Sequence, residues 1–115
     1  MKDSKIPLII NDKTYNLYFN LNVMEAIQEE YGSVQKWGEL TDGKSGEVNA
    51  KALIFGLTEM INEGIDIQNE IAGTDEPFLT RKQVARIISQ VGLQQSAEKL
   101  NEAIVESTKS DEKNV

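Results

Sequence analysis

Gly38-Glu39-Leu40-Thr41-Asp42-Gly43-Lys44-Ser45 has the two glycines, the lysine and the serine of a phosphate-binding loop. That chemistry works when a strand enters the loop and a helix leaves it, so that backbone amides and a helix N-terminus point at phosphate. Here a helical segment, Val34 to Trp37, comes first, and Gly46 interrupts the helix that should start at Lys44. Glu39 and Asp42 also add negative charge where phosphate would sit. The pattern reads as a loop, not a nucleotide site. Glu25, Glu29 and Glu30 could supply a general acid and base, but such a pair needs one carboxyl in a dry cleft. These three fall on the polar side of an amphipathic helix, where water solvates them. Asp66 to Glu70 lacks the glycine and ligand spacing of a calcium loop.

The absences are as informative. The 115-residue chain has no histidine and no cysteine. Imidazole is the side chain best placed to move protons near neutral pH and the commonest transition-metal ligand. Without it and without thiol, the usual triads, cysteine nucleophiles, disulfides and most zinc sites are excluded. Carboxylate and magnesium chemistry remain open. The expectation is a binding protein with no catalytic residues, cofactor or metal, and not an enzyme.

Charge narrows the partners. A formal net charge of −7 opposes phosphate backbones and anionic lipids. Thr80 to Ile104 reads as helix, glycine turn, helix, with Arg81, Lys82 and Arg86 on the first helix, which invites a DNA-reading motif. The second helix would have to enter the groove, and its outward Glu98, Glu102 and Glu106 oppose phosphate at every turn. Neither nucleic acid nor membrane is therefore an expected partner. No stretch approaches the roughly 20 apolar residues of a membrane span. The run Ile6 to Ile10 is too short for a signal-peptide core, so a cytoplasmic protein is expected.

These groups are carried by a simple order of elements. Ile6 to Ile10, interrupted by Pro7, reads as an edge strand, followed by turn residues Asn11 to Thr14. Tyr15, Leu17, Phe19 and Leu21 alternate with polar residues and Tyr18, a period of two that completes a hairpin. Asn22, with Glu25 three residues on, predicts the cap of a first helix that carries Val23, Met24, Ile27 and Tyr31 inward and stops at Gly32. Ser33 predicts a second helix to about Leu40, and Asn49 a third from Ala50 to about Glu63, ended by Gly64. Ile65 to Ala72 reads as an unsettled helical turn. Thr80 caps a helix with Val84, Ile87, Ile88 and Val91 inward, stopped by Gly92. The last helix should turn Leu93, Ala97, Leu100 and Ile104 inward.

The fold class expected is α+β: an N-terminal β-hairpin packed on a bundle of four to five short helices. One domain should span residues 1–108, with a flexible charged tail over 109–115. The third helix is apolar around most of its circumference, so it is central or has one face covered by a partner. Ile54 and Phe55 on that helix, and Trp37 and Phe78 beside loops, are the candidate partner-binding residues. For Trp37 and Phe78, core packing is the competing reading.

One stretch carries more than pattern. Leu17-Tyr18-Phe19-Asn20-Leu21-Asn22 runs into a helix that closes on Glu29-Glu30-Tyr31-Gly32-Ser33. A strand ending in Phe-Asn-Leu-Asn, then an apolar and acidic helix closing on Glu-x-Tyr-Gly-Ser, resembles the tail assembly chaperones of long-tailed phages and gene-transfer agents. A mid-chain apolar helix, Leu79-Thr80 opening another, and an acidic last helix extend the resemblance over about Leu17 to Leu100. The Gly43-Lys44-Ser45 loop departs from it. The resemblance implies a phage or prophage chaperone that binds the long, apolar, helical tape measure protein in many copies. It keeps that protein soluble and leaves as the tail tube forms. It also implies, as a second partner, a longer form of the chain made by ribosomal frameshifting; Glu112-Lys113-Asn114 can be encoded by an A-rich slippery run. Self-association stays open. The alternative reading is a structural tail component, or an acidic adaptor or decoy that binds another protein.

Overall fold

The structure is a computed structural model that describes residues 5–44 and 46–113, with side chains described as far as Thr108. Strands β1 (Lys5–Ile10) and β2 (Lys13–Tyr18) pair antiparallel, with Leu8 opposite Tyr15 and Ile6 opposite Leu17. Asn11 takes the left-handed conformation (φ 55°) that a two-residue connection demands and that Asn tolerates. Five helices follow among the described residues: α1 (Leu21–Tyr31), α2 (Val34–Thr41), α3 (Ala50–Ala72), α4 (Arg81–Val91) and α5 (Leu93–Lys113). The expected α+β architecture, a hairpin laid on helices, is the one observed.

The hairpin cannot stand alone in water, and its inner face explains why it does not have to. Leu8 and Leu17 are buried, and Ile6, Ile10 and Tyr15 pack partly against the same core. β2 lies over α3 and β1 over α5. A single apolar cluster runs from Leu8 through Val23, Ile27, Trp37, Leu53, Leu57, Met60 and Ile61 to Leu100 and Ala103. No helix among the described residues is long and apolar enough to cross a membrane.

Several boundaries differ from the expectation, each for a local reason. Asn20, not Asn22, caps α1: its Oδ1 accepts from the Val23 amide, 3.3 Å away, and the Asn22 side chain turns to Glu63 instead. β2 ends at Tyr18, so Leu21 opens the helix and is 76% exposed rather than inward. Leu93, at the first residue of α5, is likewise exposed, while Ser96, Ala97, Leu100 and Ala103 face the core. The largest difference is α3, which does not stop at Gly64 but continues to Ala72 and ends at Gly73 (φ 68°). Gly64 is there because β2 crosses the helix at that point: a Cβ would overlap the Asn16 carbonyl oxygen. It permits close approach, not a turn. The backbone of α5 continues to Lys113, into the segment expected as a tail; side chains from residue 109, and residues 114–115, lie outside the described residues.

Candidate partner-binding surface

The four residues singled out from the sequence are not brought together. Trp37 is fully buried, and this removes it as a surface anchor. Its Nε1 donates to the Ala52 carbonyl at 3.0 Å, and its ring stacks on Phe19 with centroids 6.4 Å apart. Gly56 makes room for it, since a Cβ there would overlap the indole. Ser33 positions this packing by capping α2 through its hydroxyl, which accepts from the Lys36 amide. Ile54 and Phe55 are half-buried against the core, Phe55 with its edge toward Tyr31 at 5.6 Å. Burial, Glu30 and, in the opposite sense, Arg81 act on the Tyr31 hydroxyl, and the net effect raises its pKa. Phe78 alone of the four presents most of its surface, 55% exposed.

Phe78 sits in a strap that returns from Gly73 to Thr80 along the outer half of α3. Asn69 and Asn62, seven residues apart and so on one helix face, hold it. Asn69 pairs with both backbone groups of Glu76, at 3.0 and 3.1 Å, and also accepts from the Thr74 hydroxyl at 2.9 Å. Asn62 pairs with both backbone groups of Leu79, at 2.9 and 3.0 Å. Thr80 then caps α4 with a reciprocal Gln83 contact, so the strap ends in a fixed helix start. Between strap, α3 and β2 runs a groove of about 420 Å³, floored by Tyr15, Ile65 and Leu79. Phe78 lies outside this groove, with its side chain in solvent.

Next to the strap, α3 carries a feature that sequence reading passed over. Glu59, Glu63, Asp66 and Glu70 recur at spacings of four, three and four, which is one face of a helix. From residue 52 through residue 80 there are six acids, these four with Asp75 and Glu76, and no lysine or arginine. None of the four helical carboxylates has an ion-pair partner among the described residues. Glu63 instead accepts from the side-chain amides of Asn20 (2.7 Å) and Asn22 (3.0 Å). Burial, and then the charge of Glu63, holds the Glu59 carboxyl above the usual carboxylate range. Along one flank of the stripe Ile67 is half-buried and Ile71 is 74% exposed. The acidic spacing was legible; it lay hidden because the helix was expected to end at Gly64.

The other candidate chemistry resolves simply. The glycine-lysine-serine pattern begins inside α2, which runs to Thr41, and α3 does not start until Ala50. The Lys44 amide donates to the Asp42 carboxylate at 2.8 Å, and Ser45 lies outside the described residues. Glu25, Glu29 and Glu30 are exposed on α1. Among the described residues no three metal-ligating side chains converge. Compared with protein-family models, with curated proteins and with solved structures, the chain matches none.

Proposed function

We propose that the chain is a phage or prophage tail assembly chaperone, acting by contact and not by catalysis, that holds a tape measure protein in solution until the tail tube forms around it. The observation that carries this reading is how the resembling motif is used. Phe19 seats on Trp37, Asn20 caps α1, Gly32 (φ 88°) closes it, and Ser33 caps α2. The motif thus spans one continuous strand–helix–helix junction whose geometry these four residues set, which supports reading it as a unit. A tape measure's amphipathic helices expose apolar stripes that self-associate until covered. A carrier for them needs apolar surface of its own and a charged exterior that keeps the complex dispersed. The net charge of −7 is suited to the second requirement. In this role the protein works in the host cytoplasm, alongside a frameshifted longer form of itself.

Co-expression is the test. A tape measure protein produced with this chain should shift from the insoluble to the soluble fraction and co-purify with it. Equal solubility with and without the chain would remove the chaperone reading.

A further inference from the structure

We infer that the outer half of α3, with its acidic stripe Glu59, Glu63, Asp66 and Glu70 flanked on one side by Ile67 and Ile71 and on the other by the Asn62- and Asn69-held strap that carries Phe78, is a docking surface for a cationic amphipathic helix. This rests on the chaperone reading only for the identity of the partner; the surface chemistry stands on its own observations. From Glu59 to Glu70 the stripe is about 16 Å long at 1.5 Å per residue, roughly three helical turns. A partner helix with Lys or Arg every third or fourth residue and an apolar row beside them matches it charge for charge.

Three features favour that occupant over others. First, among the described residues no ion pair reaches any of the stripe's carboxylates, and the hydrogen bonds to Glu63 come from neutral amides. Lys13 sits over the Tyr15 ring instead, 5.5 Å from its centroid. Second, the apolar residues beside the stripe project beyond the core; Ile71 and Phe78 are more than half exposed, and neither belongs to the buried cluster or packs against it. Isolated exposed apolar side chains are ordinary, but an apolar flank beside an unpaired charge row is the pattern of a helix-binding face. Third, the same charge rejects the competing occupants. A second copy meeting face to face would set one acidic row against another, and anionic lipid or nucleic acid would be repelled.

The test uses the full chain and a synthetic helical peptide of about three turns, with lysines at positions i, i+4, i+7 and i+11 and leucines on the adjoining row. A control peptide has glutamate in place of each lysine. By fluorescence anisotropy at low salt the lysine peptide should bind at least about tenfold more tightly than its control, with affinity falling as salt rises. The double reversal Asp66→Lys/Glu70→Lys should weaken binding about tenfold or more, and Phe78→Ser about threefold. The matched reversal Glu98→Lys/Glu102→Lys on α5 changes net charge equally and should leave affinity within about twofold. All these side chains are exposed or half-exposed, so the variants keep the fold, as circular dichroism will verify. Equal losses in both double reversals would reduce the effect to net charge, and unchanged binding in the α3 reversal would place the partner elsewhere; either result overturns the inference. Tape measure co-expression separates the two readings. Solubilisation that survives the α3 reversal keeps the chaperone and rejects this surface. Peptide binding without solubilisation keeps the surface and rejects the chaperone.

Discussion

The two halves of α3 are built on opposite principles. From Ala50 to Ile61 the helix is an interior strut: Ala52, Leu53, Gly56, Leu57, Met60 and Ile61 are buried, and Trp37 fills the space over Gly56. From Asn62 to Ala72 only Gly64 is buried, the strap is held by side-chain amides, and the helix carries three carboxylates, Glu63, Asp66 and Glu70. One continuous helix thus joins a region stabilised by dense apolar packing to a region whose geometry depends on a few directional hydrogen bonds. The lesson is that apolar packing and exposed polar chemistry are divided along the length of one element, and the proposed docking surface falls on the second.

Substitutions sharpen that division. Trp37→Ala should be the most damaging, destabilising the fold by about 3–5 kcal/mol in urea titration, since it leaves a large cavity and removes the indole N–H bond to the Ala52 carbonyl. Gly64→Ala comes next, at about 1–3 kcal/mol, because the added methyl meets the β2 backbone at Asn16, which cannot rotate away. It marks the point where the interior half ends. In the outer half, Asn62→Ala should cost about 1–2 kcal/mol and Asn69→Ala less, about 0.5–1 kcal/mol, in step with the greater exposure of the Asn69 contacts. A loss at Asn62 as large as that at Trp37 would break the comparison.

The smallest effect is electrostatic and has a definite sign. The folded Glu59 carboxyl has a raised pKa, so it holds its proton longer in the folded than in the unfolded chain. Its favourable contribution is fully present below the ordinary carboxylate pKa and is lost as pH rises through the raised value. Glu59→Gln should therefore stabilise the fold slightly at neutral pH and make no difference in acid below the carboxylate range. Denaturant midpoints at both pH values check it.

Much of this was legible beforehand. Ser33, Asn49 and Thr80 were readable as caps because each is a small polar side chain placed just before a helical apolar repeat. The hairpin was readable from its period of two and from Asn11-Asp12 between the strands. What escaped depended on contacts distant in sequence. Gly64 looks like a stop until β2 is known to cross there, and Asn20 and Asn22, both of which donate to Glu63, are equivalent letters until the Val23 amide selects the first as the cap. Trp37 allowed two readings, and its full burial over the space left by Gly56 decides for the core. The candidate surface follows the same rule: Phe78 stands out in the sequence, but Ile71, Asn69 and the Asp66 and Glu70 end of the acidic stripe join one helix face only because α3 continues past Gly64.

Isoleucine methyl groups offer the most direct measurement, because they sample both halves. Ile61 and Ile27 lie in the interior, whereas Ile67 and Ile71 lie beside the acidic stripe. In methyl NMR spectra recorded on adding the cationic amphipathic peptide, Ile67 and Ile71 should shift while Ile27 and Ile61 stay in place. Shifts confined to Ile9 or to the isoleucines of α4 and α5, or none at saturating peptide, would contradict the account.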